Sequence, residues 1–532
     1  MRHHLRTALT VVAVVVSIGS LGARPRAPRL GIVSVTGGRV TGVPARNEAL
    51  TVFRGIPFAA PPVGPLRWRA PEPVRPWAGV LRADAFSPSC IQSMVQERKP
   101  WTYEFMTHGE ISEDCLYVNV WTPAAASSER RPVFVYLYGG ANTEGSAVVP
   151  VYDGEGLASK GLVVVTFNYR VGVLGFFSHP TLSQEAPYHG SGNYGLLDQI
   201  AAVRWVSQNI ASFGGDPARV TIAGQSAGAQ GVHNLTISPL SKGLFQRAIA
   251  ESGSTLGAVG GGRSLADQEA DGVRFATMKG NASLATLRAM SWAEVVAPVQ
   301  APAPAGGGRG PAAPRFGVVI DNYALTAAMR DVYAAGRQHD VPTLTGSNAD
   351  ENGAVPSPTI TLEAYKAQAQ QRYAAASDEF LRLYPAATDD EARAMSNASA
   401  RDQARTSTYL WAMARSATAK TAAYTYFFNQ PLPGPDVKQY GAFHTSEVPY
   451  VLNTLAMSDR PFTAVDRKVA ETLSSYWVNF ATRGNPNGPG LPAWPAISKD
   501  APHAMQLGAD VKPIPVATNS EKLAFWSKFL NR

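Results

Sequence analysis

The run Leu162-Val163-Val164-Val165-Thr166-Phe167 places the tightest limit on what this chain can fold into. It is rich in β-branched side chains and has no polar–apolar alternation. A strand with one wet face alternates, whereas a strand covered on both faces reads as a continuous apolar run. Residues 133–138 (VFVYLY), 219–223 (RVTIA), 341–345 (VPTLT) and 423–428 (AYTYFF) read as further strands. Between LVVVTF and RVTIA, residues 197–210 set Ile200, Val203 and Val206 at helical spacing, and Phe213-Gly214-Gly215 ends that helix. Strands alternating with helices predict an α/β chain with a large, mostly parallel central sheet and helices on both faces. Ligands of such sheets gather at the carboxyl ends of the strands.

The chain is 532 residues long, 45% hydrophobic and 17% charged. That balance supplies a large core. Arg2 and Arg6 precede an apolar run over 8–21, followed by Gly22 and Ala23. This is the layout of a secretory signal, and it is shorter than a membrane span of about 20 apolar residues. The expectation is a signal over 1–23, a secreted or periplasmic product with no membrane attachment after cleavage, and one domain over 24–532. Residues 301–314 (APAPAGGGRGPAAP) read as a low-complexity surface loop within that domain. A net charge of +8 without a basic run interleaved with aromatics gives nucleic-acid binding little support. Cys90 and Cys115 are the only cysteines, and in an exported protein an even pair reads as a disulfide. No His/Cys cluster has metal-ligand spacing, so no metal or cofactor is expected.

Chemistry concentrates at Gly224-Gln225-Ser226-Ala227-Gly228. The motif follows the RVTIA strand and precedes a helical stretch, the context in which G-x-S-x-G forms a sharp turn that exposes the serine Oγ. Around such a turn the partners come in the order Ser, Asp/Glu, His along the chain. Of nine histidines, His444 and His503 lie late enough. His444 follows the AYTYFF strand by a short loop, whereas His503 stands in a surface-turn composition, so His444 is the expected base. His233, seven residues past the serine, reads as a packed helix residue. The acid must follow a strand between these points. Asp350 and Glu351, after VPTLT, both qualify, and composition leaves the choice nearly even. Tyr138-Gly139-Gly140-Ala141-Asn142 fits a loop that aims backbone N–H groups at an oxyanion.

Longer stretches carry a resemblance. Phe213-Gly214-Gly215-Asp216-Pro217 through the G-x-S-x-G motif, Glu113-Asp114-Cys115-Leu116-Tyr117-Val118-Asn119-Val120, and Phe53-Arg54-Gly55-Ile56-Pro57-Phe58-Ala59 resemble the type-B carboxylesterase family, which includes the cholinesterases. So do Gly192-Asn193-Tyr194-Gly195-Leu196-Leu197-Asp198-Gln199 and Ala481-Thr482-Arg483-Gly484-Asn485-Pro486-Asn487. The similarity runs from about Gly38 to Phe529.

The resemblance implies an α/β-hydrolase fold and a serine carboxylic-ester hydrolase acting on small-molecule esters through an acyl-enzyme. It implies Ser226 as nucleophile, Glu351 as acid, His444 as base, and the amides of Gly140, Ala141 and Ala227 as oxyanion donors. It also implies a Cys90–Cys115 disulfide and an Arg67–Glu113 ion pair. The same triad serves amides, lactones or thioesters, and the family includes non-catalytic binding proteins, which lack a triad residue; all three are present here. Three positions depart from the pattern: Ala141 replaces a third glycine, Asn142 a bulky apolar residue, and Asn352 a frequent glycine. Trp101 is not at the spacing of the cholinesterase choline-binding tryptophan; Phe105 is nearer that place.

Overall fold

The computed structural model describes residues 30–253, 262–298, 313–351 and 360–531. The expected signal over 1–23, most of the 301–314 loop and Asn352 lie outside the described residues. The main sheet has eleven strands, numbered here along the chain: β1 (Val43–Pro44), β2 (Thr51–Pro57), β3 (Tyr117–Thr122), β4 (Arg131–Leu137), β5 (Val163–Phe167), β6 (Gly215–Gln225), β7 (Arg247–Glu251), β8 (Thr343–Asn348), β9 (Ala423–Phe428), β10 (His503–Leu507) and β11 (Lys512–Pro515). Their order across the sheet is β11-β10-β9-β8-β7-β6-β4-β5-β3-β2-β1. The strands from β5 to β10 pair in parallel, and the antiparallel pairs are confined to the two margins. The fold is that of the α/β-hydrolases.

Four helices matter for the site: α1 (Tyr194–Asn209), α2 (Ala227–Ile237), α3 (Asp389–Ser416) and α4 (Ala464–Arg483). They cover both faces, and β6 shows how. Gly224 turns toward α2, where a Cβ would meet the Gly228 carbonyl carbon at 2.7 Å. Thr221, on the other parity of the strand, donates to the carbonyl of Ala481 on α4 at 3.3 Å. Every residue of β5 is buried, as its unbroken apolar run requires.

Several boundaries move. β6 begins four residues before the expected strand, because Gly215 already pairs with Arg131 of β4. β8 runs on to Asn348, so fewer residues separate the strand from Asp350 and Glu351 than the sequence implies. His503 opens β10 instead of lying in a turn: an exposed residue heads a strand of buried side chains.

The Cys90–Cys115 disulfide is formed, closing a separation of 25 residues. Arg67 grips Glu113 with two N–H groups at 2.7 and 2.6 Å and donates a third bond to the Met290 carbonyl at 2.7 Å.

Candidate active site

Ser226 sits at the junction of β6 and α2 with φ 58° and ψ −119°, a region that side-chain-bearing residues rarely enter. Close packing of backbone enforces the turn. A Cβ on Gly228 would stand 2.0 Å from the Leu137 carbonyl oxygen, and one on Gly224 2.7 Å from the same atom. Both positions must therefore lack a side chain for α2 to start where it does. The Ser226 N–H donates to the Glu251 carbonyl at 2.9 Å, which ties the elbow to β7.

Past β4, Gly140 takes φ +112°, and a Cβ there would lie 2.2 Å from the Glu144 carbonyl oxygen. Ala141 and Asn142 also have positive φ, 54° and 59°. Two stacked tyrosines brace the base of this loop. The Tyr138 hydroxyl donates to the Tyr169 carbonyl at 2.8 Å, and the Tyr169 hydroxyl to the Tyr138 carbonyl at 2.7 Å.

Gly139, Gly140, Ala141, Gln225, Ser226 and His444 line one cavity of 210 Å³. Glu351, just past β8, reaches His444 from behind: its Oε2 lies 2.5 Å from the ring Nδ1. The Asn348 N–H donates to Glu351 Oε1 at 2.6 Å. Ala227 is the first residue of α2, directly after Ser226, and its side chain is not part of the cavity wall. Asp350 points elsewhere. It pairs with Arg401 at 2.7 Å and accepts the Ala442 N–H at 2.9 Å, tying down the loop that carries the histidine. His503 is in β10, and His233 is buried on α2 against Trp411, with burial holding its pKa down to about 3.

Burial works against a charge on Glu351, but the facing His444 and the hydrogen bonds it accepts outweigh that and hold its carboxyl below the usual range. Burial likewise disfavours protonated His444, yet the facing carboxylates of Glu351 and Glu447 leave the ring above its ordinary value. His444 lines the cavity with Ser226, and its Nε2 lies 3.2 Å from the side-chain amide nitrogen of Gln225.

Four further residues shape this site, and no motif announces them. The Trp101 indole donates to the His444 carbonyl and to the Thr445 hydroxyl, each at 3.1 Å, and clamps the loop that carries His444. Asn348 donates its side-chain amide to the buried Glu447. Burial first, and the Glu351 charge second, push the Glu447 carboxyl up to about 7. The Ser252 hydroxyl stands between, 3.5 Å from Glu447 and hydrogen-bonded to Glu351. Among the described residues no group of three His, Cys, Asp or Glu side chains is arranged to hold a metal ion. No described helix is long and apolar enough to cross a membrane.

The carboxylesterase family, described as "Carboxylesterase family", matches residues 30–526. The chain belongs to it. Like other carboxylesterases it is a carboxylic ester hydrolase. A fumonisin B1 esterase of Sphingopyxis macrogoltabida is 38% identical over 89% of this chain and 86% of its own length. A human cocaine esterase is 32% identical over 99% of this chain and 96% of its own, and a mouse acylcarnitine hydrolase 34% identical over 90% and 86%. Among solved structures a PNB esterase superposes with a TM-score of 0.75 at 29% identity, covering 94% of this chain and all of that one. In this carboxylesterase Asn142 follows Gly139-Gly140-Ala141, where the resemblance leads one to expect a bulky apolar residue.

Proposed function

We propose that this carboxylesterase is an exported serine hydrolase that cleaves small-molecule esters in two steps through an acyl-enzyme. The observation that carries the reading is the 2.5 Å contact of His444 Nδ1 with Glu351, on a histidine that lines the same cavity as Ser226. Ser226 Oγ attacks the ester carbonyl while His444 Nε2 takes its proton, and Glu351 stabilises the imidazolium. The amides of Gly140, Ala141 and Ala227 receive the developing oxyanion. Collapse expels the alcohol, which takes the proton from His444. Water, deprotonated by His444, then releases the acid.

The relatives' names span a fumonisin, cocaine and acylcarnitines, so they support the ester class rather than one substrate. Export is supported by the amino-terminal pattern and by the Cys90–Cys115 disulfide, a bond that oxidising compartments maintain.

A fluorophosphonate probe tests the reading directly: it should label Ser226 and no other residue. Ser226→Ala should lower kcat on 4-nitrophenyl acetate by about 10⁶ with the fold intact by circular dichroism. Labelling of another serine, or residual turnover near the wild-type rate, would remove Ser226 from its role.

A further inference from the structure

The proposed oxyanion loop leaves β4 at Tyr138 and folds back on itself. The Thr143 and Glu144 N–H groups both donate to the Gly140 carbonyl, at 2.9 and 3.1 Å. The returning limb packs on the outgoing one through backbone. A Cβ on Gly145 would stand 2.3 Å from the Gly139 carbonyl oxygen, as one on Gly140 would stand 2.2 Å from that of Glu144. Whatever fixes residues 144 and 145 therefore fixes Gly139 and Gly140.

That limb is held from outside at three successive residues. Arg98 pairs with Glu144. The Gln92 side chain donates to the Gly145 carbonyl and accepts the Gly145 N–H, both at 2.8 Å. The Ser89 hydroxyl donates to that of Ser146, also at 2.8 Å. The three holding residues belong to one short segment, 89–98, which the Cys90–Cys115 disulfide anchors.

Gln92 has the firmest grip of the three. The Arg98 side chain is half-exposed, and ion pairs of exposed groups contribute little. Gln92 is only 7% exposed. Its amide meets both polar groups of one residue, as an adjoining strand would. A further bond to the Cys90 carbonyl at 3.0 Å keeps it aimed. The partners fix which way the amide lies, since a backbone N–H can only donate and a carbonyl only accept. Gln92, Gly139, Gly140, Ala141, Gly145 and Ser226 line one cavity. Ala141 and Asn142 hold positive φ, which side-chain-bearing residues keep only where their surroundings impose it.

We infer that Gln92 is a positioning residue for ester hydrolysis: by gripping Gly145 it imposes the loop conformation that aims the Gly140 and Ala141 N–H groups at the oxyanion. The inference rests on the oxyanion role proposed above for those two amides.

Gln92→Met tests it, because methionine keeps the length of the side chain and removes its three bonds. With sites counted as fluorophosphonate-reactive serine, kcat on 4-nitrophenyl acetate should fall about 30-fold, less than the roughly 10²–10³ lost with a whole oxyanion donor. KM should stay within about twofold, because the lost alignment acts only in the transition state. A trifluoromethyl ketone, which Ser226 converts to a tetrahedral oxyanion, should lose affinity by the same factor as kcat. Gln92→Asn keeps the amide but one methylene short, and should lose less in the same pattern; it carries the test if the methionine variant does not fold. A lowered Tm with kcat per site unchanged, a loss carried by KM, or a fall in kcat with undiminished ketone inhibition overturns the positioning role. Failure of the fluorophosphonate to label Ser226 overturns the hydrolase mechanism and the inference with it, and that failure shows in the wild type alone.

Discussion

Glu351 and Glu447 accept hydrogen bonds from one residue, Asn348, and end in opposite states. Glu351 takes the backbone N–H and faces His444; its carboxyl is held below the usual range. Glu447 takes the side-chain amide and faces inward, beside Glu251, a buried carboxyl that desolvation and Glu447 itself push far up. Burial opposes charge on all three. What separates them is whether a group able to turn cationic lies in contact. The front carboxylate has the imidazole, whereas the rear pair has an asparagine, the Trp477 indole donating to Glu251 at 2.6 Å, and the neighbouring phenols Tyr136, Tyr152 and Tyr426. The comparison teaches that contact with an imidazole favours the charged form of the front carboxyl, while burial without such a partner favours the neutral form of the rear pair.

Removing the front charge is the harshest way to break the comparison. Glu351→Gln should lower kcat/KM by about 10⁴, the loss typical of an amide that leaves the base in the wrong tautomer. The neighbouring change Asp350→Asn should lower it by about tenfold. It weakens the ties to Arg401 and Ala442 without touching the imidazole, and a drop in Tm should accompany it. Steady-state kinetics on 4-nitrophenyl acetate separates the two; a deeper loss at Asp350 would reverse their roles.

The rear carboxyl should respond least in rate and most in pH dependence. Glu447→Gln keeps an acceptor for Asn348 and should lower kcat/KM at pH 8 by about threefold, the size of one perturbed hydrogen bond. With His444 as the proposed base, activity should rise with pH as it loses its proton, and Glu447 helps hold that proton. The acid limb, above the ordinary histidine value in the wild type, should therefore move to lower pH in the variant. Stability carries a second signature. Between the ordinary carboxyl value and about 7, folded Glu447 keeps a proton that the unfolded chain has lost, so its contribution falls as pH rises through that window. Glu447→Gln should raise Tm at pH 8 more than at pH 5. A loss of activity as deep as that of Glu351→Gln would erase the distinction between the two carboxylates.

The front of this arrangement was largely legible in the sequence, and the rear was not. β9 occupies the residues that AYTYFF marks, and the G-x-S-x-G segment stands between a strand and a helix, because both signals are local. Asp350 and Glu351 could not be told apart by composition. Adjacent residues at the end of a strand point in different directions, and only the partners, Arg401 for one and His444 for the other, distinguish them. Glu447 is three residues from His444 and carries no mark of its own. Its state depends on Asn348 and Ser252, which arrive from β8 and from the end of β7. Trp101 escaped for the same reason, since its indole meets a loop more than 300 residues away in the chain.

The packing of Gly224 and Gly228 against the Leu137 carbonyl has a consequence for redesign. The elbow's shape is held by carbon that is absent on either side of Ser226, and Ser226 itself contributes only the atom it presents. The frame is therefore indifferent to the reagent mounted on it. A thiol or a carboxylate could be set at 226 and inherit the same exposed post, whereas one methyl group two places away would push α2 off the sheet. For a designer the adjustable part is the tip, and the two empty positions beside it are fixed.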